Sequence, residues 1–270
     1  MSAPTRSTGV EAGPVGYLKF FLASLRKRVL LMVRYPVNFL TDIAQFLLLF
    51  LAVFYGGRAI APAAISDTIE GIIVGFLLWT LALSGFSGLS WNVTRESQWG
   101  TLEQLFMSPY GFGRVMFAKT VVNVLVSFLW GAITLAFMMA VSGRWLALDP
   151  LTVLPLSVLA LAPALGVGFA LGGLAIRFKR IENVFQVMQF AFVGLIAAPV
   201  GQYPLLKWLP LAQGSQLLQT AMRDGVRLWA LPTDELGVLV VTGVGYLALG
   251  YVVFGYCQRW ARREGVMGHY

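Results

Sequence analysis

Long apolar runs without a single charge constrain this chain more than any other feature. From Leu151 to Ile176 there is no Asp, Glu, Lys or Arg, and the same is true from Val121 to Ser142. A soluble core breaks runs of that length with charged residues, whereas about 20 consecutive apolar residues suffice to cross hydrocarbon as a helix. The composition agrees: 58% of residues are apolar and 12% charged, the latter about half the usual soluble share. Lipid must cover the apolar surface that remains. A helix pairs its own backbone groups in lipid, so the expected fold class is all-α integral membrane.

Six transmembrane spans are expected, near Asn38–Tyr55, Gly71–Trp91, Val115–Val141, Leu151–Ile176, Val184–Val200 and Leu236–Tyr256. The first sixteen residues read as a flexible tail, residues 36–263 as a six-span transmembrane domain and residues 264–270 as a C-terminal tail. No cleavable signal peptide is expected, because the basic cluster follows the first apolar stretch instead of preceding it. Between tail and first span, residues 17–35 read as an amphipathic helix. Leu18, Phe21, Leu22, Leu25, Val29, Met32 and Val33 recur at three- and four-residue steps, with Lys19, Arg26, Lys27 and Arg34 off that stripe. Such a helix lies in the headgroup layer, basic face toward anionic lipid.

Basic residues orient the chain. Of the twenty Lys and Arg, fifteen fall in the N-terminal segment, the connections around Arg95–Lys119 and Arg177–Arg180, and the C-terminus. Arg58, Arg144, Lys207, Arg223 and Arg227 fall on the other side. Cytoplasmic segments carry the basic excess, so both termini are expected in the cytoplasm. The same bias accounts for the net charge of +8 without a nucleic-acid partner. One cysteine, Cys257, and one histidine, His269, speak against a disulfide framework, a cysteine-rich metal site and histidine catalysis.

Two segments break the pattern of spans and loops. Gly201–Leu231 is too polar to cross and too apolar to be a free loop, and Pro199, Pro204 and Pro210 forbid one continuous helix through it. A re-entrant outer hairpin before the last span fits, its backbone sheltered by protein. The other segment is Arg95-Glu-Ser-Gln-Trp-Gly-Thr-Leu-Glu-Gln-Leu-Phe-Met-Ser-Pro109. Thr101 and Gln104 have capping-box spacing, Leu102, Leu105 and Phe106 form a small apolar face, and Pro109 ends the helix. A short amphipathic helix there serves either as a plug for a cytoplasmic partner or as a helix lying on lipid.

Glu96 to Leu105, Glu-x-x-x-Gly-Thr-Leu-Glu-x-Leu, resembles the type 2 family of ATP-binding-cassette (ABC) exporter permeases. The resemblance extends over about Tyr17 to Arg263 through span number, basic interface helix, orientation and the proline-punctuated segment Ala198–Pro210. It implies that Arg95, Glu96, Gly100, Thr101, Leu102, Glu103, Leu105 and Phe106 form a cytoplasmic coupling helix against an ABC ATPase subunit. Arg177, Lys179, Arg180 and Glu182 offer a second cytoplasmic contact. It further implies a second permease copy or homologue, two ATPase subunits that hold the ATP and magnesium, no cofactor in this chain, and a plasma-membrane location. The expected function is outward movement of an amphiphilic, drug-like or lipid-like substrate by a non-catalytic permease. A polysaccharide or lipo-oligosaccharide exporter is the alternative within the family, and a membrane-embedded lipid-modifying enzyme the alternative outside it. A secondary transporter would need intramembrane ion ligands that the spans do not offer.

Other motifs carry less. Gly113-Arg-Val-Met-Phe-Ala-Lys-Thr120 nearly matches a phosphate-binding loop but has Ala118 in place of the second glycine and leads into a span. Asn92-Val-Thr94 faces the cytoplasm in this topology, where no glycan is added. Gly71/Gly75 and Gly168/Gly172 permit close helix approach, most simply within one subunit. Asp42, near a span end, reaches the interface or Arg34, and Trp79, Trp91, Trp145, Trp208 and Trp229 are expected mostly as interface anchors.

Overall fold

The computed structural model describes residues 14–98, 110–178 and 182–264, and these are helical almost throughout. Helix α1 spans Pro14–Arg34, α2 Pro36–Ile60, α3 Pro62–Gln98, α4 Phe112–Ser142, α5 Pro150–Phe178, α6 Glu182–Ile196, α7 Ala212–Asp224 and α8 Thr233–Glu264. Short 3-10 turns at Pro204–Trp208 and Leu228–Ala230 flank α7. The boundaries follow local chemistry. Pro36, Pro62 and Pro150 stand at helix starts, where the missing amide costs nothing. Asp149 caps α5, accepting from the Leu151 amide at 3.3 Å and the Thr152 hydroxyl at 2.6 Å. Gly143 and Gly225 end α4 and α7 with φ of 70° and 68°, a left-handed conformation that favours glycine.

Inside the helices, hydroxyls return to their own chain. Thr80, Thr120, Thr134 and Thr242 each donate to the carbonyl four residues back, so these polar groups need no partner from lipid. Among the described residues, five helices contain stretches long and apolar enough to cross a membrane: Ile43–Ile60, Thr68–Gly88, Phe112–Ser142, Pro150–Ile176 and Thr233–Ala261. These correspond to five of the six spans expected from the sequence. The remaining one, Val184–Val200, is not a single helix of that length. Helix α6 has 15 residues and stops at Ile196, and at about 1.5 Å per residue it reaches only about 22 Å.

The bundle centres on α5. Its seam with α8 is close enough to bring backbones together: Leu159 meets Gly243, Gly166 meets Gly250, and Gly173 meets Phe254 and Cys257. The partner numbers rise together, so α5 and α8 run parallel. A Cβ at Gly166 would strike the Tyr246 carbonyl, and one at Gly250 the Gly166 carbonyl. Glycine is thus required at both places. Helix α4 runs antiparallel to α3, with Gly131 against Leu77 and Leu81, and Asn123 against Gly88. Gly168 packs on Phe86 of α3.

The polar residues sort to two ends. At one end Glu70 pairs with Arg223 at 3.3 Å and Arg144 at 3.9 Å, and Lys207 pairs with Glu235 at 3.7 Å. At the other, Tyr17 donates to the Arg114 carbonyl at 3.0 Å, and its ring and that of Phe20 lie against Tyr110. Burial raises the pKa of the Tyr17 phenol, with Tyr251 adding to the rise and Arg114 opposing it. The phenol therefore keeps the proton it donates. Elsewhere along α1, Leu18, Leu22, Val29 and Val33 of its apolar stripe are exposed, while Phe21, Leu25 and Met32 are half-buried.

Candidate functional site

Helices α6 and α7 follow one another along α3. Along α3 from residue 86 back to residue 70, the partners are Phe185 and Phe192 at Phe86, Gln189 at Trp79, Ile196 at Gly75, Gln219 at Gly71 and Arg223 at Glu70. The numbers climb without a gap in space, although fifteen residues separate the two helices in sequence. Helix α7 also lies antiparallel to α5. A Cβ on Gly214 would sit 2.7 Å from Ala160 Cα, and the Ala147 amide donates to Met222 at 2.8 Å. Its first turn is therefore level with Ala160, about 15 Å along α5 from Pro150, and its last turn is at the Glu70 end.

The junction is stitched by side chains. Helix α6 ends at Ile196 with its carbonyl unpaired in the helix, and the buried Ser215 hydroxyl donates to that carbonyl at 2.8 Å. Gln219 Nε2 in turn donates to Ser215 Oγ at 3.0 Å. Leu211 begins α7 with φ of 67°, a conformation that strains a non-glycine residue by about 1–3 kcal/mol. The three expected hairpin prolines surround this junction: the Pro199 carbonyl accepts from the Gln202 amide at 3.1 Å, Pro210 lies in a turn and Pro204 opens the 3-10 turn. Tyr246 of α8 donates to the Trp208 carbonyl at 3.1 Å and holds that turn.

Between α2, α3 and α6 the bundle leaves a groove of about 730 Å³. Its walls are apolar, with Leu49 and Val53 from α2, Phe76 and Trp79 from α3, and Phe190 and Val193 from α6. Among the described lining residues, Thr68 and Gln219 bring polar side chains beside the Trp79 indole, and none is Asp, Glu, Lys or Arg. The Thr68 hydroxyl is committed to the Ala64 carbonyl at 2.7 Å. The Trp79 indole donates to the Gln189 carbonyl at 3.1 Å, which fixes its ring against Phe46 and Phe76. Gly71 and Gly75 face the groove, and both approach other helices of the same chain.

The expected coupling residues divide. Arg95 and Glu96 fall in the last turns of α3, while Gly100, Thr101, Leu102, Glu103, Leu105 and Phe106 lie outside the described residues. Arg177 is near the end of α5 and Glu182 opens α6, with Lys179 and Arg180 outside the described residues. Arg95, Glu96, Arg177 and Glu182 belong to helix ends at the side of the bundle that carries Tyr17 and Tyr110. Gly113–Thr120 is helical, so no phosphate-cradling loop forms there. Trp145, Trp208 and Trp229 are exposed, near the salt-bridged end, and Arg227 lies over the Trp229 ring. Among the described residues no three of His, Cys, Asp and Glu gather as a metal site would require. Reading the sequence singled out neither Glu70 nor the Ser215–Gln219 pair. Their signal was present: Gln213, Ser215, Gln216 and Gln219 are polar residues with no charge among them, in a chain that otherwise spares polarity for its ends.

Long apolar helices on a glycine-packed bundle define a multi-pass membrane protein. The sequence model of the ABC-2 family transporter proteins matches residues 58–252, well over half of the chain. The chain belongs to the ABC-2 family of transporter permeases, membrane components of ABC transporters. No curated protein matches it.

Proposed function

We propose that this chain is the permease subunit of an ABC exporter that moves an amphiphilic, drug-like or lipid-like compound outward across the plasma membrane. The carrying observation is the groove between α2, α3 and α6. It is large enough for an acyl chain or a small drug, apolar along its walls, and closed at one end by the α6–α7 junction. Apolar clefts with a few placed polar groups are what such ligands occupy. A long hydrophilic polysaccharide would need a wider polar path, so the amphiphile is the better match.

In this reading the chain crosses six times, with α6 and α7 together making the fifth crossing. The parallel run of α5 and α8 supports this, because the chain must return across the bundle between them. The combined 15 and 13 residues of α6 and α7 reach about 42 Å, close to the about 44 Å of the 29-residue α5. Both termini are then cytoplasmic, and α1 lies along the inner headgroups on its exposed apolar stripe. A second permease copy packs on α2, whose outward face carries exposed Leu48 and Tyr55. The segment Gly100–Phe106, with Arg95, Glu96 and the Arg177–Glu182 turn, receives the stroke of two ATPase subunits that bind ATP and magnesium. Movement there reaches α3 and α6, the walls of the groove.

Purification of the full chain from native membranes in mild detergent tests this reading. An ABC ATPase should accompany it in equal amount, and the complex should hydrolyse ATP. A chain that purifies without any ATPase, while its host still exports, would overturn it.

A further inference from the structure

We infer that Gln219 is the specificity-determining group of the groove, and that the transported compound is an uncharged amphiphile carrying a hydrogen-bond donor such as a hydroxyl or amide. The inference rests on the reading of the groove as the substrate site. Among the described lining residues Thr68, Gln219 and the Trp79 indole bring polar groups; the Thr68 hydroxyl donates within its own helix and the Trp79 indole to the Gln189 carbonyl. Gln219 spends one Nε2 proton on Ser215, which holds the amide plane in place. Its carbonyl Oε1 points toward Gly71, where a Cβ would lie 3.0 Å away. Glycine at 71 lets the oxygen lie at the groove wall without a clash, and the O–H or N–H of a groove ligand is a partner it can take.

Charge is disfavoured on both sides. Among the described residues no ionisable side chain lines the groove, so a buried ammonium or phosphate would find no partner among them, at high cost. Glu70, one residue from Gly71, is already shared between Arg144 and Arg223. A neutral donor loses only its water contacts and regains one hydrogen bond at Oε1, so discrimination for it is modest, about three- to tenfold. The bond also has a mechanical consequence. Gln219 holds Ser215, and Ser215 holds the Ile196 carbonyl, so occupancy of the groove is felt at the break between α6 and α7.

Three photoactivatable probes with one palmityl chain and a chain diazirine distinguish the outcomes in native membrane vesicles holding the full chain. One is a glyceryl ether with two free hydroxyls, the second its dimethyl ether, the third a trimethylammonium salt. Labelling of the Phe190–Val193 peptide is quantified by mass spectrometry. The diol should label about fivefold more than the dimethyl ether, and Gln219→Leu should bring that ratio to about one. If Gln219→Leu reduces all labelling, Gly71→Ala, which crowds Oε1, serves instead and should reduce the same ratio. A ratio unchanged in both variants, or stronger labelling by the cation, overturns the assignment of Gln219 while leaving the groove as the site. No labelling of the wild-type peptide by any probe overturns the groove reading itself.

Discussion

The Ser215 hydroxyl donates to the main-chain carbonyl of Ile196 at 2.8 Å, and this one bond joins two helices that each end inside the bundle. Removing it leaves a buried carbonyl unpaired at the end of α6. Ser215→Ala should destabilise the protein by about 1–3 kcal/mol, seen as a lower thermal midpoint in detergent. Gln219→Leu, whose side chain is only partly buried, should cost less. Equal midpoints for Ser215→Ala and wild type would show that the junction is held by packing alone.

The glycines of α8 offer a paired test. Gly250 lies against the Gly166 backbone, whereas a Cβ at Gly245 would meet nothing within 4 Å. Gly250→Ala should push the α5–α8 seam apart at a cost of about 1–3 kcal/mol, typical of overpacking. Gly245→Ala should be neutral or gain up to about 1 kcal/mol from helix propensity. Detergent melting curves compare the two, and matching midpoints would refute the close seam.

How much of this was legible in the sequence differs by element. Apolar runs such as Leu151–Ile176 announce crossing helices because hydrocarbon leaves the backbone no other solution. Pro199, Pro204 and Pro210 announced a break, since proline cannot continue a helix. Where α6 stops was not legible. The residues from Leu195 to Val200 are as apolar as a span, and the hydroxyl that donates to the free Ile196 carbonyl comes from Ser215, nineteen residues on. Gln219 was equally hidden, because a glutamine in a polar helix shows nothing about the Gly71 beside it until both helices are placed.

The Glu70 cluster makes a weaker demand. Arg223 and Arg144 are more than half exposed and Glu70 is 28% exposed, so water and salt compete with these pairs. A double-mutant cycle on Glu70→Ala and Arg223→Ala should give a coupling of about 0.2–1 kcal/mol, falling as salt is raised. A coupling several times larger would mean that the cluster is shielded in the assembled transporter.

Topology is open to labelling. In a Cys257→Ser background, Ser66→Cys should react with an impermeant thiol reagent added outside intact cells, and Ser108→Cys should react only after the membrane is opened. Cys257 itself is buried and should stay unlabelled in the wild type. Outside reaction at both positions would contradict six crossings with cytoplasmic ends.

The central claim is that this bundle is driven by an ATPase through the segment around Gly100–Phe106. Leu102→Asp with Leu105→Asp is its most direct test, because each leucine contributes about 1.5–3 kcal/mol when buried and neither falls within an expected span. Wild type and double variant are expressed at matched levels, purified from membranes, and compared for bound ABC ATPase and ATP hydrolysis. The double variant should insert normally and lose most of both. An ATPase retained at the wild-type level, with hydrolysis and transport intact, would contradict the claim and move the coupling site to Arg177–Glu182.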